Sequence, residues 1–274
     1  MAAKPTQPTQ TRESFTLSSS PLAAIPRRPD GLRTSTGIPG LDQILNGGVP
    51  TGRSILVSGG PGTGKTILSC QFLVNGVLRH NEPSTYISLD EERDQLFEEM
   101  REFGWNLEAL EASGKFSFVD ASPSKFAPPQ IRDGKLVFGR NSLTLPVLGD
   151  MIRASTQKVR AKRLVIDPVT ALGFPYPGII QRRYALVELM AAVRSTGATC
   201  LMTTELRKNG FDRTIGAEEY LAHGVILLQQ LAVGRSFARV IQVEKMRRTQ
   251  IDTQPRPYSI SKSGIEVFAK ETIL

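Results

Sequence analysis

The chain has 274 residues, 40% of them apolar, which is enough to bury the core of one large domain. No run approaches the roughly 18 consecutive apolar residues that cross a bilayer, and the N-terminus lacks the charged-then-apolar layout of a signal peptide, so a cytoplasmic protein with no membrane partner is expected. A formal charge of +8 raises the question of an acidic partner such as nucleic acid, although Lys4, Arg12, Arg27, Arg28 and Arg33 against Glu13 and Asp30 place +3 of it in the first 33 residues.

Residues 1–32 are rich in Thr, Ser, Pro and Gln, a composition that supports no core, and are expected to form a disordered basic tail ahead of one domain over 33–274. The stretch "TGIPGLDQILNGGVPTG" then predicts a short amphipathic helix through Leu41, Ile44 and Leu45, stopped by Gly47 and Gly48. Beyond it the pattern alternates: strand 54–59, helix 64–79, strand 84–89, helix 93–103, strand 116–120. After an irregular insertion over 122–145, with Pro123, Pro128 and Pro129, it resumes with helix 146–160, strand 163–167, helix 179–195 and strand 199–204. Strands alternating with longer helices imply an α/β fold with a mostly parallel central sheet and helices on both faces. The runs "GVILLQQLAV", "SFARVIQVEKMR", "PYSIS" and "IEVFA" follow with no helices between them, which predicts an antiparallel C-terminal extension. Cys70, Cys200, His80 and His223 have no partners at metal-ligand spacing and read as core residues.

Residues Gly59, Gly64, Lys65 and Thr66 satisfy G-x-x-x-x-G-K-[ST], after a strand and before a helix. Glycines let successive backbone N–H groups turn inward around phosphate oxygens, and the helix adds the positive end of its dipole. Lys65 then reaches the β- and γ-phosphates of a nucleotide while the Thr66 hydroxyl takes a place on Mg²⁺. Gly60, Gly62, Thr63 and Ile67 complete the cradle. A second acidic element should hold the metal, and Asp167 ends the apolar strand of "KRLVIDPVTAL", at the carboxyl edge where ligands of open α/β sheets sit. In "TYISLDEERDQL" a strand ends in Asp90 and Glu91 at the same edge, where one carboxylate could activate water; both residues also suit a helix N-terminus.

With these pieces together the chain resembles the KaiC family, the RecA-like P-loop ATPases that include the cyanobacterial clock ATPase. The resemblance runs from about Gly31 to Lys270 and rests on "TGIPGLDQILNGGVPTGRSILVSGGPGTGKT", "ISLDEE", "FGWNL", "VIDPVTAL", "GATCLMTTE" and "GVILL" in the family's order. It implies a RecA-like fold, ATP and Mg²⁺ as cofactors, and hydrolysis of ATP within a homo-oligomer, a hexameric ring. By position it implies that Asp90 and Glu91 are the paired catalytic carboxylates, with Glu91 as the base, and that Asp167 is the Walker B aspartate. Thr203 and Thr204 match the strand end that senses the γ-phosphate. Lys245 and Arg247 match a Lys-x-Arg that crosses to the neighbour's nucleotide, with Met246 and Thr249 beside it.

The chain departs from the family in places. It carries one P-loop, and the clock protein's phosphoacceptors are replaced in "GAEEYLAHG" by Glu218 and Glu219, so autokinase activity is not expected. Arg248 and Ile251 replace the glycine and histidine that follow the Lys-x-Arg, which bears on nucleotide preference. A ring-forming regulatory or signalling ATPase with a regulatory protein partner is the leading expectation. The alternative is a RecA-like DNA recombination or repair ATPase using Arg182, Arg183, Arg207, Lys208 and Arg213, with Phe174, Tyr176 and Phe211 as the nearest aromatic residues. Nucleic-acid binding is expected to be weak or absent. A nucleotide-gated adaptor without turnover is the third class.

Overall fold

The structure is a computed structural model that describes residues 32–122, 125–126, 130–132, 135–137, 143–173, 176, 178–206, 216–234 and 236–272. Most of the tail, the loop carrying Arg207, Lys208, Phe211 and Arg213, and Phe174 lie outside the described residues. The described chain opens with β1 (Arg33–Thr34), α1 (Leu41–Ile44) and β2 (Val49–Pro50). It then alternates through β3 (Ser54–Gly59), α2 (Lys65–His80), β4 (Ser84–Ser88), α3 (Arg93–Arg101), α4 (Leu107–Ala112) and β5 (Phe116–Asp120). A small hairpin, β6 (Gln130–Arg132) with β7 (Lys135–Val137), precedes α5 (Leu145–Val159), β8 (Arg163–Asp167) and a 3-10 turn, Val169–Gly173. Helix α6 (Ile179–Thr196), β9 (Thr199–Glu205) and α7 (Ala217–Leu221) lead to β10 (Gly224–Val233), β11 (Ser236–Met246), β12 (Arg256–Ser261) and β13 (Gly264–Val267).

Nine of these strands form one sheet in the order β13-β12-β11-β10-β3-β9-β8-β4-β5. The strands from β10 to β5 are parallel to their neighbours, whereas β11, β12 and β13 pair antiparallel. The expected antiparallel extension is therefore present, with one refinement. Strand β10 belongs to both blocks, running parallel to β3 and antiparallel to β11.

Strands β3, β4 and β8 are buried along their whole length because both of their faces are covered. Ile55, Val57, Val165 and Leu201 face one core, with Leu68, Phe72 and Leu73 of α2 and Leu96 and Phe97 of α3. Leu56, Leu164, Ile166 and Met202 alternate to the other, with Leu148 and Ile152 of α5 and Leu189 and Val193 of α6. Cys70 and Cys200 are free, buried and divided between the two cores.

The sequence pattern had no sign of three short elements. The "FGWNL" turn carries α4, capped by Asn106 accepting from Ala109 N; α7 forms in "GAEEYLAHG"; and the insertion holds the β6–β7 pair. All three are too short for periodicity to register.

One buried contact sets the spacing between the P-loop helix and the strand ending in Asp167. Arg163, at the start of β8, is 1% exposed. It donates from Nε to Glu82 at 2.7 Å and from Nη1 to the Phe72 carbonyl at 2.8 Å, and lies over the Phe72 ring. It fits because α2 has a glycine facing it: a Cβ on Gly76 would stand 2.4 Å from both Cδ and Nε of Arg163. Replacing Gly76 by Ala gains about 1 kcal/mol of helix propensity. Overpacking against an arginine that cannot leave its partners costs more, so Gly76→Ala is expected to lower stability by about 2 kcal/mol net in urea titration.

Candidate functional site

The loop between β3 and α2 takes its shape from positions where a side chain does not fit. A Cβ on Gly59 would meet Thr63 Oγ1 at 2.5 Å and the Leu228 carbonyl at 2.9 Å. Gly64, the residue before α2, has φ 86° and would press on Ile260 at 2.8 Å. The loop is also tied from within, since Thr63 Oγ1 donates to the Gly60 carbonyl at 2.8 Å and the buried Tyr258 hydroxyl donates to the Thr63 carbonyl at 2.6 Å. The first turn of α2 has no acidic residue and no side-chain cap. Its leading N–H groups are thus left for an outside acceptor, which fits a phosphate.

Lys65 donates from Nζ to the Gly60 carbonyl at 3.1 Å, across the mouth of the loop. Burial holds its ammonium below the ordinary lysine value, opposed by the carboxylates of Asp167 and Glu205. Ile67 points away and packs half-buried against the core.

Asp167, 7% exposed, collects hydroxyls from three elements. Thr66 of α2 donates to Oδ2 at 2.9 Å, Tyr86 of β4 donates to the same oxygen at 2.7 Å, and Thr203 of β9 donates to Oδ1. The sheet order explains the convergence. Strand β8 lies between β9 and β4, and Val165, Tyr86 and Leu201 belong to the core on the α2 side, so Asp167 and Thr203, two residues further on, face that side as well. The donor set of Thr66 hydroxyl and aspartate suits Mg²⁺, a hard cation that takes oxygen ligands. Thr204, on the opposite face of β9, donates to Glu218 at 3.3 Å, so of the two threonines expected to sense phosphate one attends the aspartate and the other ties to α7.

Glu91 lies just beyond β4, in a turn held by a 2.5 Å bond from Ser88 Oγ to the Glu91 carbonyl and a 3.0 Å bond from Glu91 N to Ser88 Oγ. The Leu89 amide donates to the Asp167 carbonyl at 2.7 Å, docking this turn on the end of β8. Among the described residues the buried Glu91 Oε2 has no hydrogen-bond partner. Burial, then Glu99, Asp167 and Asp90, push its carboxyl up to about 7. Asp90 turns instead to a cleft of about 430 Å³ that it lines with Pro168, Arg182, Glu205 and Glu218. The two acidic neighbours therefore face different surroundings.

Lys245 and Arg247 stand apart from this group. Met246 pairs with Gly224, and Gly224 pairs with Ile55 at the start of β3, whereas the P-loop follows Gly59 at its end. The two cations are thus at the opposite edge of the sheet from their own P-loop. Within the subunit they rest on the carbonyl end of α7. Lys245 Nζ donates to the Glu219 carbonyl at 2.9 Å and the Ala222 carbonyl at 2.8 Å, and Arg247 Nη2 to the Tyr220 carbonyl at 3.4 Å. Met246 is 6% exposed and inside the core, and Thr249 accepts from Arg33 Nη1 at 3.1 Å.

Sequence reasoning did not single out Tyr86 or Tyr258. The first had a usable signal, a phenol in an apolar parallel strand whose hydroxyl must find a partner. The second reaches the P-loop from β12, 195 residues away, a contact that no local pattern announces.

The family model described as "ATPase: KaiC" matches residues 34–272. The chain is 36% identical over 234 residues to the circadian clock oscillator protein KaiC of Synechococcus elongatus, covering 85% of this chain and 43% of that protein. It spans less than half the length of that relative. It is 35% identical to a UPF0273 protein of Methanocaldococcus jannaschii, covering 88% of this chain and 98% of the other. Among solved structures, a KaiC-like protein of Pyrococcus horikoshii OT3 matches with a TM-score of 0.74 at 30% identity, over 86% of this chain and 99% of that one.

The raised Glu91 carboxyl has a consequence for any reaction in which it accepts a proton. Below about pH 7 the group is protonated and cannot act as a base; above it the carboxylate is available. The kcat/KM for nucleotide hydrolysis is expected to fall about tenfold per unit as pH drops below that value, a limb read from initial rates across pH 5.5–8.5 and missing in Glu91→Gln.

Proposed function

The chain belongs to the KaiC family of ATPases, and from that premise we propose that it binds ATP with Mg²⁺ and hydrolyses it in a ring of identical subunits, as a nucleotide-driven regulatory ATPase of the cytoplasm. The observation that carries the reading is the bond from the P-loop hydroxyl of Thr66 to Asp167, which couples the phosphate cradle to an acidic strand end.

Each residue has a role that its surroundings support. The α2 N-terminus and the amides of Gly60, Gly62, Thr63, Gly64 and Lys65 bind phosphate oxygens, and Lys65 exchanges the Gly60 carbonyl for the β- and γ-phosphates. Thr66 and Asp167 hold Mg²⁺, which neutralises charge on the phosphates. Glu91, with its unpaired oxygen, takes the proton of the attacking water, and Asp90 stands beside it. Lys245 and Arg247, too far around the sheet to serve their own P-loop, serve the neighbour's. Thr249 and the main chain of the buried Met246 follow them. Autokinase activity is not part of the reading, because Glu218 and Glu219 offer no hydroxyl to phosphorylate.

Arg182 shares its cleft with Asp90, Glu205 and Glu218, so this basic element faces carboxylates and favours weak nucleic-acid binding. Fluorescence anisotropy with single-stranded DNA should give at best micromolar affinity that falls steeply with salt; nanomolar binding at physiological salt would favour a recombinase instead.

Phosphate release by the purified protein should vanish in Lys65→Ala, while Glu91→Gln keeps nucleotide binding and loses at least about 10²-fold in rate. For the shared site, Lys65→Ala and Arg247→Ala are each expected to be inactive. Mixed one to one with subunits free to exchange, they should recover about a quarter of wild-type activity, the share of interfaces with an intact P-loop on one side and an intact Arg247 on the other. A mixture that stays dead, or a protein that stays monomeric with ATP by light scattering, rules the shared site out.

A further inference from the structure

Tyr86 has every contact that a phenylalanine would need. It is 1% exposed, its ring stacks on Phe118 with centroids 5.7 Å apart and planes 14° from parallel, and it belongs to the core beneath α2 and α3. Nothing in that packing calls for a hydroxyl. A phenol buried in such a place loses its hydration and is tolerated only where it finds an acceptor. Its acceptor is Oδ2 of Asp167, at 2.7 Å.

The choice of oxygen matters. Oδ2 is also the oxygen that accepts from Thr66, while Oδ1 takes the Thr203 hydroxyl. Thr203 is fixed within β9, fully buried and paired with Val57 of β3, but it meets the other oxygen; Thr66 rides on the P-loop helix, which the nucleotide itself must touch. Tyr86, by contrast, is locked in the interior of β4, where it pairs with Val165 of β8. Of the two donors to Oδ2 it is the one whose position owes nothing to the nucleotide.

We infer that Tyr86 is a positioning residue for the metal half of the site: its hydroxyl pins Oδ2 of Asp167, so that Thr66 and Asp167 present preset oxygens to Mg²⁺. Without that bond the carboxylate keeps only Thr66 and Thr203, turns more freely, and must be ordered when the metal arrives. Partners of this kind behind a metal ligand are commonly worth about 10- to 100-fold in metal affinity. The inference rests on the reading of Thr66 and Asp167 as the metal-holding pair, and the test separates the two.

The measurement is binding of a fluorescent ATP analogue by anisotropy, in EDTA and across a Mg²⁺ titration, for wild type, Tyr86→Phe and Asp167→Asn. In EDTA, Tyr86→Phe should bind the analogue as wild type does, because the P-loop is untouched. Its Mg²⁺ midpoint should rise about tenfold, and 3-fluorotyrosine at position 86, a stronger donor of nearly the same shape, should keep the midpoint at or below the wild-type value. A midpoint unchanged in Tyr86→Phe while Asp167→Asn shifts it overturns the role of Tyr86 alone. Loss of affinity already in EDTA overturns it too, since the hydroxyl would then serve packing. If Mg²⁺ moves neither wild type nor Asp167→Asn, the metal assignment falls and the inference with it.

Discussion

A carboxylate buried at the end of a central strand is costly unless its lone pairs are met. Asp167 is met by three hydroxyls, from α2, β4 and β9, and the architecture around it reads as the means of bringing them together. The order β9-β8-β4 puts a donor strand on each side of β8. Alternation along those strands turns the same face of each toward the P-loop helix. A one-residue slip in either pairing would send Tyr86 or Thr203 to the opposite core and leave the aspartate stranded. The register of the sheet and the geometry of the site are therefore one constraint.

That constraint also shapes the charge of the site. Asp90, Glu91, Asp167 and Glu205 gather at the carboxyl edge, with Lys65 and Arg182 as cations set among them. Burial, with crowding by like charge, keeps Glu91 protonated to about pH 7, a value that suits its proposed role as a base, which must bind its proton near neutrality yet release it. It also makes the surroundings unwelcoming to a polyphosphate, which brings several negative charges of its own. Further positive charge must come from outside this group. Under the proposed function it comes from Mg²⁺ and from the Lys245–Arg247 pair of a neighbouring subunit.

Much of this was legible in the sequence, for physical reasons that differ by element. The P-loop was legible because its glycines, lysine and threonine are contiguous and lie between a strand and a helix. Asp90, Glu91 and Asp167 could be found because each ends an apolar run, and ends of parallel strands share an edge. The expectation for strand 224–233 was incomplete, since a sequence run carries no mark of which neighbour it will join, and β10 joins β3 on one side and β11 on the other. The roles of Tyr86, Tyr258 and the Gly76–Arg163 contact were hidden because each depends on residues that only the folded sheet brings close. Met246 has a core side chain, and its alternate placement between Lys245 and Arg247 sends the two cations outward.

The resting place of those cations bears on how a shared site can be assembled without stranding charge. Two cations on adjacent same-side positions of a strand repel, and a conformation that left them unpaired would weaken the fold. Here the repulsion is offset by the α7 carbonyls, the negative end of a short helix, which lie half in solvent and hold each cation by bonds that water can replace. Exchange of those carbonyls for phosphate oxygens on a neighbouring subunit would swap partial charges for full ones, a gain that grows as water leaves the interface. Because the same helix is tied through Glu218 to Thr204, on the strand that also carries Thr203 to Asp167, the cations that one subunit would lend under the proposed function are held by an element in contact with that subunit's own site. Under the proposed function, a ring built from such units would have a mechanical route between successive nucleotides that a monomer, with its P-loop at one edge of the sheet and its cations at the other, would not.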